Sequence, residues 1–371
     1  MPVKSPIPLI SRIRRMRRST AAAVAAASLL ALTATACGPG HSNVSASPGS
    51  SSAASQQPTG GADKAPDFSN PIDKGHWGAK RLAQAMGAPD IGIRDGRLGR
   101  QNDASNPPPR PVTAQEIARP YERHMAPVGK LVFDGPEGPT ACSGTVVEDP
   151  AHPGRSNLVW TAGHCVHSGK NGSWMRDIVF VPSYNHNGVP MNQVGNTPAQ
   201  EIAPYGKFWA DWSITSNEWI KMGGPRASAG SAYDFAVLHV RPENNTGRSL
   251  QETVGAAAQV AFNAPTGRGL GPVTAVGYPS AAPFDGARMM SCLSRPSHVN
   301  MQQGTPDMDV IGCTMTAGSS GGGWLDNHNG KLTLVSNTSL TGPGHTMLVG
   351  PHLGPEAQQV FEAMSRKFAN E

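Results

Sequence analysis

Three short runs of the chain carry residue types that do chemistry together. Thr161-Ala162-Gly163-His164-Cys165 places an imidazole beside a sulfur, and Tyr233-Asp234-Phe235-Ala236-Val237-Leu238 places a carboxylate at the start of an apolar run. Ala317-Gly318-Ser319-Ser320-Gly321-Gly322-Gly323 places a hydroxyl in a glycine-dense turn. A serine hydroxyl is a weak nucleophile at neutral pH, so a neutral imidazole must take its proton as it attacks a carbonyl. A carboxylate on the far side of the ring fixes the tautomer and stabilises the imidazolium. His164, Asp234 and Ser320 fill those roles, with Asp211 in Ala210-Asp211-Trp212 as the competing acid. The glycines let the turn curl until the Gly318 and Ser320 N–H groups converge where an oxyanion would form.

Other chemistries find little here. The chain has no H-E-x-x-H, its twelve histidines show no ligand spacing, and there is no phosphate loop, so neither metal nor cofactor is expected.

The order His, Asp, Ser, written as T-A-G-H-C, D-F-A-V-L and G-S-S-G-G, resembles the chymotrypsin-like (trypsin-fold) serine peptidases over roughly residues 127–371. That resemblance implies an all-β fold of two six-stranded antiparallel barrels, with His164 and Asp234 on the first, Ser320 on the second and the active site between them. It makes Ser320 rather than Ser319 the nucleophile, because the motif sets the serine directly before paired glycines. It pairs Cys142 with Cys165 and leaves Cys292 with Cys313. It also puts Thr314, Met315 and Ser336-Asn337-Thr338 around the primary pocket, and makes Ser336 the serine that hydrogen-bonds the catalytic aspartate. Thr314 stands where trypsin-like members carry the aspartate that selects Lys or Arg, and Val335 precedes Ser336 where glutamyl endopeptidases have a histidine. The pocket is therefore neutral, and small or apolar side chains are the expected preference. Ser319 replaces the acid that receives a new amino terminus in many animal members, so activation by that ion pair is not expected. A polypeptide is the expected substrate. A serine esterase, or an inactive binding or scaffold protein on the same fold, are the alternatives.

These residues need a framework of short strands. Thirty-four prolines and 43 glycines suit a turn-dense chain. From Val128 onward, β-branched and aromatic runs alternate with turns, giving strands at Lys130–Phe133, Ala141–Val147, Leu158–Thr161, Ile178–Val181, Phe235–Val240, Gln259–Phe262, Val273–Val276, Leu332–Val335 and Thr346–Val349. Pro355–Phe368 reads as a helix: proline suits its first turn, Val360, Phe361, Met364 and Phe368 share a face, and Arg366 and Lys367 complement its end. The barrels divide at about residues 127–245 and 250–371.

The N-terminal third is organised differently. Lys4, Arg12, Arg14, Arg15, Arg17 and Arg18 precede an apolar run from Ala21 to Ala36 with a small-residue exit, the pattern of an export signal over residues 1–36. Without those six, 25 basic residues face 26 acidic ones, so the charge of +5 belongs to the leader and no nucleic-acid partner is expected. Five cysteines in an exported chain make two pairs and leave Cys37, whose place after the apolar run resembles a lipoprotein attachment site. A secreted or lipid-anchored monomer is expected, with membrane attachment through Cys37. Residues 37–62 read as a Ser/Gly/Pro-rich tether. Residues 63–126 carry a short helix around Ala79 to Met86, a proline break at Pro107-Pro108-Pro109 and a capping-box pattern at Thr113-x-x-Glu116. A pro-segment and a permanent extension are equal readings of them.

Overall fold

Turn-separated apolar runs of the first half close on themselves. In the computed structural model, which describes residues 62–63, 70–72, 75–93, 106–328 and 331–371, the first lobe consists of β1 (Val128–Gly135), β2 (Gly138–Val147), β3 (Leu158–Thr161), β4 (Arg176–Pro182), β5 (Phe208–Thr215) and β6 (Ala236–Pro242). The pairings β1–β2, β2–β3, β3–β6, β6–β5, β5–β4 and β4–β1 are all antiparallel, and they complete a six-stranded barrel. Alternation along each strand sorts the side chains. Leu131, Phe133, Val159, Phe180 and Leu238 pack in one cluster inside the barrel. Val132, Trp160 and Val237, of the opposite parity, join a cluster that includes Val276, Leu325 and Leu334 of the second lobe. Strands buried on both faces explain why these segments read as nearly unbroken apolar runs.

The second lobe contains β7 (Gln259–Val260), β8 (Val273–Gly277), β9 (Met290–Ser294), β10 (Ser297–Asn300), β11 (Asp307–Gly312), β12 (Gly323–His328), β13 (Lys331–Asn337), β14 (Leu340–Thr341) and β15 (Met347–Pro351). They pair as two sheets, β7-β13-β12-β8-β9 and β10-β11-β15-β14, around Val273, Ile311, Met315, Trp324 and Leu348. All nine strands expected from the sequence fall on observed strands, β3 residue for residue, but β5, β9, β10, β11, β12 and β14 were not anticipated.

Short helices accompany the strands, among them α1 (Ala79–Gln84), α2 (Asn217–Met222) and the longer α3 (Pro355–Phe368). The expected face of α3 is the buried one, with Phe361 6.3 Å from the Trp160 ring of the first barrel. Thr113-x-x-Glu116 caps no helix. Gln115–Glu116 is instead a short strand on the edge of β9, and the Glu116 carboxylate accepts from Tyr121 Oη at 2.9 Å. Once its backbone pairs with a neighbouring strand, the capping geometry is lost. Two disulfides are present, Cys142–Cys165 and Cys292–Cys313, with Cα separations of 6.3 and 5.6 Å. Among the described residues no helix is long and apolar enough to cross a membrane. The leader, Cys37 and the tether up to residue 61 lie outside the described residues.

Candidate active site

His164 leaves the end of β3 on a single tight turn, Gly163–Cys165. That turn is possible because Gly163 has no side chain: a Cβ there would stand 2.8 Å from Thr215 Oγ1 and 3.0 Å from Asp234 Oδ1. The neighbouring Cys165 is tied to Cys142 on β2, closing a loop of 23 residues. In the chain-entropy model such a closure contributes about 3 kcal/mol.

Asp234 directly precedes the apolar run of β6 and is fully buried. Burying a carboxylate is costly unless donors surround it, and here three converge. The His164 backbone N–H donates to Oδ1 at 2.7 Å, His164 Nδ1 lies 2.7 Å from Oδ2, and Ser339 Oγ donates to Oδ2 at 2.6 Å. The Asp234 backbone carbonyl accepts from Asn337 Nδ2 at 3.1 Å, and Asn337 Oδ1 accepts from the Trp160 indole at 3.0 Å. His164 Nε2 is buried with no hydrogen-bond partner among the described residues. Its ring sits 6.2 Å from Trp219 of α2 and lines a cleft of about 480 Å³ together with Phe133, Met175 and Trp219.

Ser320 stands on a turn held against the first barrel. The Ser143 N–H donates to the Ser320 carbonyl at 2.7 Å, and Ser143 Oγ donates to the Gly318 carbonyl at 2.8 Å. Gly321, at φ +75°, lies so close to the strand leading to His164 that a Cβ would sit 2.8 Å from Ala162 N. Gly318 is also left-handed at φ +95°. Only glycine adopts such backbone easily, which is why the turn is written with so many. Ser319, the rival nucleophile, turns its hydroxyl inward to the Thr316 carbonyl at 2.7 Å and is 1% exposed.

The rival acid is elsewhere. Asp211 meets His239 Nδ1 at 2.6 Å and also pairs with Arg241. The structure corrects the role expected of Ser336. Ser336 Oγ donates to the Pro351 carbonyl at 2.8 Å, so Ser339 rather than Ser336 bonds Asp234. The register is off by three: Ser336 lies inside β13, opposite Trp324, and the chain reaches the Asp234 carboxylate only beyond that strand's end, at Ser339. Asn337 is committed to Trp160 and Asp234, and Thr338 Oγ1 accepts from the Trp324 indole at 3.0 Å. None of the three lines the cleft beside His164. Thr314 is occupied by the preceding chain: its N–H donates to the Val112 carbonyl and its Oγ1 accepts from Ala114 N at 2.9 Å. Met315 is fully buried in the second lobe's core. Sequence offered no means of choosing between serines three apart in one β-like run.

One cluster of metal-ligand types at the site, Cys142, His164 and Cys165, has both sulfurs in a disulfide.

Comparison with known proteins agrees with this geometry. The model of a trypsin-like peptidase domain matches residues 142–333. Among solved structures, a thermostable serine protease, AL20, from an extremophilic microorganism is 29% identical, with a TM-score of 0.53 over 65% of this chain and 97% of its own. The protease Anisep from Arthrobacter nicotinovorans is 26% identical, with a TM-score of 0.53 over 68% and 99%. A Glu endopeptidase, 16% identical at a TM-score of 0.50 over 68% and 96%, shares the fold. No curated protein sequence matches the chain significantly. With a family model covering more than half of its residues, this chain belongs to the trypsin-like peptidases.

Proposed function

We propose that the chain is an exported serine endopeptidase in which Ser320 attacks the peptide carbonyl, His164 takes its proton and Asp234 orients the ring. The observation that carries this reading is His164 itself. Its Nδ1 is held at 2.7 Å by a buried carboxylate, while Nε2 has no partner among the described residues and the ring lines a cleft. A ring held that way presents a basic lone pair to whatever hydroxyl enters its reach. The Gly318 and Ser320 N–H groups meet the developing oxyanion, the acyl group passes to Ser320, and the imidazolium protonates the leaving amine. Water then repeats the sequence in reverse order and frees the enzyme. The strand after the aspartate-bonding serine, Ser339-Leu340-Thr341, carries no charge, which supports a preference for uncharged side chains over Lys or Arg. Export by residues 1–36 and lipid on Cys37 belong to the same proposal, and rest on the leader's composition.

Labelling with a rhodamine fluorophosphonate tests the reading. Wild type takes up one probe per chain, and Ser320→Ala takes up none. A folded, fully matured wild type that stays unlabelled would overturn it.

A further inference from the structure

The chain upstream of the barrels crosses the cleft. α1 is anchored on the first barrel: Leu82 and Trp77 are buried, the Trp77 indole donates to the Asp177 carbonyl at 2.6 Å, and Asp134 receives Arg81 at 2.6 Å and His76 at 2.7 Å. From there the backbone runs along the edge of β2, with Met86 opposite Thr140, Gly87 opposite Ala141, and Ala88 N donating to the Ala141 carbonyl at 3.0 Å. It ends on the second lobe, where Thr341 N donates to the Ile91 carbonyl at 3.2 Å and Ile93 N to the Thr341 carbonyl at 3.1 Å. Ile91 and Ile93 are each 5% exposed, in one apolar cluster with Trp219, Leu340 and Val349.

Between these ends the segment passes over the nucleophile turn. Gly87 N donates to Ser280 Oγ at 2.6 Å, and Ser280 Oγ donates to the Ala317 carbonyl at 3.1 Å. The Gly87 α-carbon faces the Gly318 N–H so closely that a Cβ would collide with it, and would stand 2.5 Å from both Ala317 C and Ser280 Oγ. Asp90 is the next group along. Burial raises its carboxyl above the ordinary range, against the pull of His345, the Ala317 N–H and His164. Met86, Ala88, Pro89 and Ile91 form one wall of the cleft that contains His164.

We propose that Met86–Ile93 is a built-in inhibitor of the Ser320 site: a strand that bridges the two lobes, occupies the edges a substrate backbone would use, and offers the Gly318 N–H a CαH₂ group in place of a carbonyl. This rests on the peptidase reading above. Strand addition to open sheet edges supplies backbone hydrogen bonds, and the apolar seats of the two isoleucines supply burial. The α1 anchor keeps the segment at high local concentration, so modest contacts suffice to hold the cleft closed. Because the segment meets the turn at Gly87 with its α-carbon, it is expected to bind without being cut.

The test uses the full chain, with its intact mass verified. The second-order rate of rhodamine fluorophosphonate labelling is compared for wild type, Gly87→Val, and Ile91→Asp as an independent way to release the segment. Wild type is expected to label at least tenfold more slowly than either variant. A synthetic peptide of residues 84–93 is expected to slow the variants again and to be recovered uncut. Intact wild type labelling as fast as both variants would overturn the inhibition and leave the peptidase reading standing, and a cleaved peptide would show a substrate rather than an inhibitor. Folded wild type and variants that all stay unlabelled would remove the peptidase reading, and this proposal with it.

Discussion

Two histidine–aspartate pairs within the strands and turns of the first barrel are of nearly equal length, 2.7 Å at His164–Asp234 and 2.6 Å at His239–Asp211, and can be compared directly. Their surroundings differ. Asp234 takes three donors, and the far nitrogen of His164 has no partner among the described residues. Asp211 sits at an irregularity of the β5–β6 ladder between Ala210 and Trp212, where the bulge turns its side chain towards His239 and Arg241. The His239 ring lies flat on Phe368 of α3, with centroids 3.7 Å apart and planes 7° from parallel. One pair is aimed at a space; the other is a clamp between two strands and a helix. A His–Asp pair is thus common structural material, and what gives it chemistry is where the second ring nitrogen points.

The largest test of that contrast is to remove one charge from each pair. Asp234→Asn is expected to lower the Ser320 labelling rate about 10⁴-fold, by freeing the wrong tautomer, while Asp211→Asn leaves it within about twofold; equal losses would erase the distinction. A smaller effect separates the two serines near Asp234. Ser339→Ala removes a hydrogen bond to a charged group, of the kind that contributes about 1.5–3 kcal/mol, and a tenfold or greater loss of rate is expected. Ser336→Ala, by contrast, is expected to change thermal stability without changing the rate.

A third buried carboxylate sharpens the comparison from the side of stability. Asp309 accepts one close bond, from Gly267 N at 2.6 Å, and burial pushes its carboxyl up to about 7. A carboxyl whose pKa is raised on folding binds its proton more tightly in the native state. Its contribution is complete below the unfolded value near 4 and is lost as pH rises towards 7, at about 1.4 kcal/mol for each unit of displacement. Denaturation midpoints between pH 4 and 8 should therefore fall with pH in wild type, and Asp309→Asn should flatten that slope.

Much of the candidate site was legible because its constraints are local. The turn that carries Ser320 needs glycine at φ +95° and +75°, and the turn that delivers His164 needs Gly163, so both are written in consecutive residues. The strands that could be read from composition, such as Leu158–Thr161, are buried on both faces and spell apolar runs. The strands that were missed follow a different logic. Gly323–His328 is as polar as a loop and is a strand because β8 and β13 pair with it on either side. The choice between Ser336 and Ser339 depends on where β13 ends, which is a property of the pairing and not of the serines. The crossing at Met86–Ile93 left no periodic trace, since its partners are the edges of two different sheets.

The last helix has a consequence for how the molecule comes into being. α3 follows every strand of both lobes in the chain, yet its Phe361 lies against Trp160, its Phe368 covers His239, and its Ser365 bonds Asp149, 216 residues upstream. A chain emerging from its N-terminus has synthesised every strand of the first barrel long before the element that roofs it exists. Contacts that distant are slow to form, and they leave an apolar face open to other chains in the meantime. The barrel that carries His164 and Asp234 is thus begun before α3 and covered only once α3 has docked, so damage to α3 would be felt in strands far upstream of it.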